Sequence, residues 1–211
     1  MTKLKNWIVS NPDLAFAILL SGCVYGYFAM TNEFFATHRT GFAIMERFAV
    51  LGLVGLALTL CIIAGEIDLS IGSNAALAAV ITVRFTDSLG APASLMIALI
   101  VSTMIGMVQG YFIAYLRVRA IVLTVGTLML LRGVALFAAE EKTVMLTDFR
   151  VPDFISTKML GYFSPASLLV IAMFILVALF MNFTKYGREI YAIGGARKEA
   201  VAAGVSLQRP M

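Results

Sequence analysis

The sequence predicts an all-α, polytopic transmembrane helical bundle, and three properties of the chain lead to this prediction. Apolar residues make up 61% of the 211 residues and only 13% are charged, whereas roughly a quarter of residues are charged in an ordinary soluble domain. The mean hydropathy is +0.94. Several apolar runs approach the ~20 residues that an α-helix needs to cross the hydrocarbon core. This composition excludes an ordinary soluble globular domain.

The apolar runs predict about six crossings. Five runs approach membrane-spanning length, at residues 14–30, 48–64, 93–116, 120–139 and 166–181, and a shorter one covers 74–83. The short run gives a third crossing that is irregular at its start. Because no linker or repeat is visible, we expect one transmembrane domain over residues 1–211. Residues 204–211 resemble the approach to another span, so we expect a chain truncated at its C-terminus.

Basic residues orient the predicted helices. Lys3 and Lys5 precede the first run, and Arg117 and Arg119 follow the run 93–116. The loop 140–158 carries four acidic residues against three basic ones. A further basic cluster follows the last run: Lys185, Arg188, Arg197, Lys198 and Arg209. The positive-inside rule places these clusters in the cytoplasm and the loop outside. All of these clusters can be cytoplasmic only if the run 74–83 also crosses the membrane. Six crossings then place both ends of the chain on the cytoplasmic side.

A polar interruption, GEIDLSIGS at residues 65–73, separates two of the apolar runs. Carboxylates are rare at membrane depth because inserting one costs roughly 2.5–3.5 kcal/mol. Gly65 is expected to end the second span, and Asp68 or Ser70 to cap a helix that begins near Ile71. Non-helical backbone is tolerated at this depth only where protein or a water-filled cavity surrounds it. We therefore expect the interruption to face the protein interior, as broken helices do in transporters.

Three interpretations of the interruption remain open. Asp68 can be a simple cap, with Glu66 reaching for the interface, or the segment can form a wall of a translocation path. An ion- or proton-coupling site is the third, although a single acidic pair lacks the further buried partners of such relays. Arg132, inside the fifth span, can snorkel toward the external interface or pair with Glu66 or Asp68.

Enzymatic chemistry has little support in the sequence. His38 is the one histidine; it is expected in a solvated external loop, with no second His or Cys nearby to complete a metal site. The Walker A pattern is missing, so the chain is not expected to hydrolyse ATP. We predict a transport protein rather than an enzyme, with no metal or cofactor of its own.

The segment after the last run, KYGREIYAIGGARKEAVAAGV at 185–205, mixes charges with small residues. Gly194 and Gly195 are expected to break it before a short helix that runs through Ala203. A short helix with a small-residue face can dock into a groove on a partner protein.

Three stretches together resemble the permease subunits of bacterial ABC sugar importers, the ribose, xylose, arabinose, galactose and rhamnose group that includes autoinducer-2 permeases. Residues 65–73 are similar to that family's GGIDLSVGS signature. Gly126-Thr127-Leu128 with Arg132-Gly133 resembles a second, weaker signature. GR at 187–188, YAIGG at 191–195 and AVAAGV at 200–205 resemble the family's cytoplasmic segment.

The resemblance implies a dimeric permease, homo- or heterodimeric, in the bacterial cytoplasmic (inner) membrane. Two cytoplasmic ATPases, which would hold ATP and Mg, would dock on residues 187–205, and a periplasmic or lipoprotein sugar-binding protein would deliver substrate. The implied translocation path contains Glu66, Asp68, Ser70, Ser73 and Asn74. The implied ATPase-coupling loop contains Gly187, Arg188, Tyr191, Ile193, Gly194, Gly195, Arg197 and Ala200.

The chain departs from the family pattern at two positions, since Glu66 replaces a glycine and Ala196 stands where asparagine is common. Two alternatives to a sugar importer follow from the residues. One is an ion-coupled secondary transporter, in which Glu66 or Asp68 would titrate, and the other is a non-transporting membrane scaffold whose last loop recruits a protein.

Overall fold

The structure is a computed structural model that describes residues 9–142, 149–159 and 161–205. Its helices are α1 (Pro12–Thr31), α2 (His38–Ile63), α3 (Ile71–Leu89), α4 (Ala91–Ala114), α5 (Ala120–Ala138), α6 (Arg150–Ile155), α7 (Pro165–Phe183), α8 (Lys185–Gly195) and α9 (Arg197–Ala202). No strand occurs within these described ranges. The prediction of an all-α bundle is confirmed.

Helices α1, α2, α4, α5 and α7 are long and apolar enough to cross a membrane. The chain is therefore a multi-pass membrane protein. Helix α3 has 19 residues, or ~28 Å at 1.5 Å per residue, but Arg84 and Asp87 make it more polar than the other five. Its crossing, and with it the count of six, stays a prediction.

The start of α2 differs from the sequence prediction. The helix begins ten residues before the apolar run 48–64, and His38 is its first residue rather than part of a loop. That prediction was wrong because charged residues near a span end do not prevent helix formation when they can reach the interface. Thr37 caps the helix by accepting a hydrogen bond from the Thr40 amide. The exposed His38 ring packs against Tyr162, with 4.7 Å between ring centroids.

Two groups of helices make up the bundle. Helix α3 packs between α4 and α5, and Leu77 meets Leu131 and Ala135 in a small apolar core. The second group is α2 with α7, and α8 closes onto both of these helices. Helix α1 has no buried residue. Its apolar side chains can contact lipid acyl chains or another protein. Contact with lipid carries no penalty, because acyl chains are as apolar as these side chains.

Arg132 is exposed on α5. Among the described residues, Glu66 pairs with Arg197 and Asp68 accepts from Ser70, so neither carboxylate is paired with Arg132. This position suits a side chain that snorkels to the interface. Four charged residues that enter the predicted orientation lie outside the described residues: Lys3, Lys5, Asp148 and Arg209.

Candidate functional site

The polar interruption begins with a glycine-terminated helix end. Gly65 adopts a left-handed φ of 80°; its amide donates to the Ile62 carbonyl at 2.9 Å, and the Glu66 amide donates to the Cys61 carbonyl at 3.0 Å. These two bonds form a Schellman motif, in which glycine is favoured because it has no Cβ. Helix resumes at Ile71, so both predicted boundaries of the interruption are confirmed.

A chain of hydrogen bonds holds the interruption to α4. Gln109 on α4 donates through Nε2 to Ser70 Oγ at 2.8 Å, and Ser70 donates through Oγ to Asp68 Oδ1 at 2.7 Å. The Ser70 amide donates to the same carboxylate oxygen at 2.7 Å. Ser70 is 1% exposed and Gln109 is 8% exposed. Donors directed at one oxygen offset part of the cost of removing a carboxylate from water.

This geometry corrects the predicted helix cap. Ser70 occupies the N-cap position of α3, but its side chain makes no capping hydrogen bond. Its hydroxyl proton goes to Asp68 and its oxygen accepts from Gln109. Asp68 bonds the amide of Ser70, one residue before α3, instead of an amide inside that helix.

Further polar groups line the same region from α3, α4 and α5. Thr124, which is fully buried, donates to the Ile67 carbonyl at 3.3 Å. Asn74 donates through Nδ2 to the Ser102 carbonyl at 3.4 Å, while its buried Oδ1 has no hydrogen-bond partner among the described residues. Ser73 is buried on α3. The five residues predicted for a translocation path therefore cluster at or just after the break, together with side chains from α4 and α5.

Gln109 and Thr124 were missed by the sequence analysis. Both lie inside runs that were classed by their apolar content alone. The available signal was a hydrogen-bonding side chain within a membrane span, which is costly unless it is paired in the protein interior.

The predicted coupling loop is an amphipathic pair of helices, α8 and α9. Thr184 caps α8 by accepting from the Gly187 amide at 3.0 Å. The break falls at Ala196, one residue after the predicted glycine pair. The loop residues divide by exposure. Gly187, Ile193 and Ala200 are buried, Gly194 is half-buried, and Arg188, Tyr191, Gly195 and Arg197 are exposed.

The structure joins the interruption to α8 and α9, which the sequence analysis had treated separately. Glu66 Oε1 lies 2.8 Å from Arg197 Nη1, although the two residues are 131 positions apart. Beside this ion pair, a Cβ added to Gly65 would lie 3.3 Å from the Gly194 Cα, and one added to Gly194 would overlap the Ile63 carbonyl. Glycine at both positions thus allows the two backbones to meet.

Metal chemistry receives no further support. Within the described residues, no group of three or more His, Cys, Asp or Glu side chains is arranged to hold a metal ion. The predictions of no resident metal and no cofactor stay predictions.

An apolar helical bundle with a helix broken by charged residues, braced against an amphipathic helix at one end, is typical of a membrane transporter. The chain belongs to the family described as "Branched-chain amino acid transport system / permease component", whose profile matches residues 41–210. The resemblance to sugar-importer permeases is confirmed by curated relatives.

The curated relatives are import or ABC permeases by name. The chain is 27% identical to the fructose import permease protein FrcC of Rhizobium meliloti, over 99% of this chain and 61% of the relative. It is 27% identical to the autoinducer 2 import system permease protein LsrD of Escherichia coli K12, over 94% and 62%. It is 28% identical to the inner membrane ABC transporter permease protein YjfF of the same strain, over 92% and 61%.

The chain thus spans about three-fifths of the length of these relatives. No solved structure matches it.

Proposed function

We propose that this chain forms the membrane-spanning permease subunit of an ATP-driven importer. The expected cargo is a monosaccharide or a related small polar solute, carried across the bacterial cytoplasmic membrane. Membership of the permease family supports this proposal, as do relatives named for import of fructose and of autoinducer 2. The observation that carries it is the contact of the Asp68 segment with α8 and α9 through Glu66 and Arg197.

The proposal includes three partners: a cytoplasmic ABC ATPase that holds ATP and Mg, a periplasmic or lipoprotein sugar-binding protein, and a second permease copy. Both ends of this chain would lie in the cytoplasm. The basic residues of α8 and α9 support this topology, since Lys185, Arg188, Arg197 and Lys198 lie at one end of the bundle.

The amphipathic division of α8 and α9 indicates how the ATPase would act on the path. The buried side, at Ile193 and Gly194, touches the bundle, while the exposed side, at Arg188 and Tyr191, is open to a partner. A displacement of α8 would be transmitted to Gly65 and Glu66 by backbone contact and by the ion pair. The hydrogen bonds from Ser70 to Asp68 and Gln109 would carry it onward into the bundle.

This arrangement disfavours the ion-coupled alternative. A coupling carboxylate must gain and lose a proton during transport, but Glu66 is engaged by Arg197 at 2.8 Å and Asp68 accepts two hydrogen bonds. The relatives are also named as import-system or ABC permeases.

Uptake measured with two poisons tests the proposal. Cells of the native host that express the protein are screened with labelled monosaccharides. They are then treated with arsenate to deplete ATP or with an uncoupler to collapse the proton gradient. We expect arsenate to stop uptake. Uptake should continue in the presence of the uncoupler as long as the cells maintain their ATP. Glu66→Gln should retain this ATP dependence. Uptake that follows the proton gradient and is lost in Glu66→Gln would overturn the proposal in favour of ion coupling.

A further inference from the structure

A cleft of about 960 Å³ opens at the end of the bundle, between the polar interruption, the start of α5 and α9. Its walls come from the start of the interruption, from the α4–α5 connection and from α9. The residues that matter for its chemistry are Glu66, Arg117, Arg119, Ile121, Val122, Arg197 and Lys198. The proposed transport path and coupling loop use Glu66 and Arg197, but they leave the rest of the cleft without a role.

The cleft is strongly cationic. Four basic side chains, Arg117, Arg119, Arg197 and Lys198, line it against one carboxylate, Glu66. That carboxylate already pairs with Arg197. Among the described residues, the side chains of Arg117 and Arg119 form no hydrogen bond or ion pair, and both residues are exposed. Cations gathered in a concave surface attract an anion more strongly than isolated surface charges do.

The remaining wall of the cleft is apolar and faces outward. Ile121 is 52% exposed and Val122 is 66% exposed on α5, a helix of membrane-spanning length and hydropathy. Arg117 and Arg119 come directly before this helix. Positive charge therefore lies at the helix end, and apolar surface begins within the first turn of the helix. A phospholipid has the same order, with its phosphate at the interface and its acyl chains deeper.

The backbone of the cleft is also strained. Arg117 adopts a left-handed φ of 56°, a conformation that costs a side-chain-bearing residue free energy and is normally left to glycine. Such outliers concentrate where a protein holds a ligand.

We propose that this cleft binds the headgroup of an anionic phospholipid of the inner leaflet. The phosphate lies against Arg117 and Arg119, and an acyl chain follows Ile121 and Val122. Basic pockets beside transmembrane helices on the cytoplasmic side are suited to acidic lipid headgroups. The inference rests on the proposed topology, which puts this end of the bundle in the cytoplasmic leaflet.

The test is lipid binding by the membrane-extracted protein, followed by native mass spectrometry. Phosphatidylglycerol and phosphatidylethanolamine with identical acyl chains are titrated separately. Arg117→Gly with Arg119→Gln removes two cleft cations while giving position 117 a residue that adopts its φ without strain. The matched control, Arg132→Gln with Lys185→Gln, removes two exposed cations that do not line the cleft.

We expect phosphatidylglycerol to bind more tightly than phosphatidylethanolamine, and the cleft variant to weaken its binding roughly thirtyfold, from the attraction supplied by two basic residues. The control should bind as the wild type does. Equal affinity for the two lipids, or unchanged binding by the cleft variant, would overturn the proposal. Displacement of the lipid by millimolar inorganic phosphate or glycerol phosphate would also overturn it, because the site would then bind free anions.

A second copy of the chain is the rival occupant. In a variant whose native cysteines are replaced, a Val122→Cys cross-link between two subunits in the membrane would assign the cleft to a subunit interface and overturn the lipid proposal. Retention of the ATPase by the cleft variant is measured in parallel. Because Arg117 and Arg119 lie outside the coupling loop, loss of lipid with the ATPase retained separates this inference from the proposed function.

Discussion

The ion pair between Glu66 and Arg197 should contribute measurably to stability, and its strength can be estimated from the structure. Coulomb's law at the observed 2.8 Å gives about 1.5 kcal/mol at the permittivity of water and about 6 kcal/mol at an effective value of 20. The side chains are 22% and 41% exposed, respectively. Desolvation and lost side-chain entropy reduce the gross attraction. We expect a net coupling energy of about 1–2 kcal/mol, between the values for exposed and buried pairs.

A double-mutant cycle measures this coupling energy. Glu66→Gln, Arg197→Gln and the double variant are unfolded in mixed micelles with increasing SDS, and their free energies of unfolding are compared with that of the wild type. The interaction energy is the departure from additivity. The exchanged pair, Glu66→Arg with Arg197→Glu, should recover part of the loss from either single reversal.

The chain supplies a matched control at a different position. Arg84 and Glu140 also form an Arg–Glu pair, at 2.5 Å, but their side chains are 47% and 56% exposed. Solvent screening should reduce their coupling to at most about 0.5 kcal/mol. The coupling at Glu66 should also survive added salt better, since partly buried pairs are screened less. Additive effects at Glu66 and Arg197, or equal coupling in the two pairs, would refute the reasoning.

Two further predictions concern packing and the buried network. Gln109→Leu removes the donor to Ser70 and should lower the free energy of unfolding by about 1 kcal/mol; Thr103→Val, exposed on the same helix, should have little effect, and equal losses by SDS titration would contradict this assignment. Gly194→Ala brings a Cβ onto the Ile63 carbonyl and should cost about 1–3 kcal/mol. Gly195→Ala meets nothing within 4 Å, so equal stability of the two alanine variants would contradict the close packing.

The interruption shows what local sequence can predict. Gly65 supplies the left-handed residue that ends α2, and the polar residues after it delay the next helix until Ile71. Both boundaries depend on chemistry within a few residues of the chain. The cap at Ser70 was predicted wrongly because the choice between an amide of α3 and Asp68 depends on Gln109, 39 residues away.

The contact between Glu66 and Arg197 could not be predicted from sequence for the same reason. Nothing near Glu66 indicates that α8 returns to the end of α2, and 131 residues separate the pair. In the sequence, Glu66 stands out only as a departure from a family glycine. In the structure Glu66 pairs with Arg197, a residue of the predicted ATPase-coupling loop.

Co-purification tests the central claim most directly. The protein is extracted from its native membrane, and the ATPases that remain bound are identified by mass spectrometry. Arg188→Glu with Tyr191→Ala replaces two exposed side chains of α8 and leaves its buried residues unchanged. Arg132→Gln is the control. The account predicts an ABC ATPase bound to the wild type and the control but lost from the α8 variant. Absence of an ATPase from folded wild-type protein, or its full retention by the α8 variant, would contradict the account.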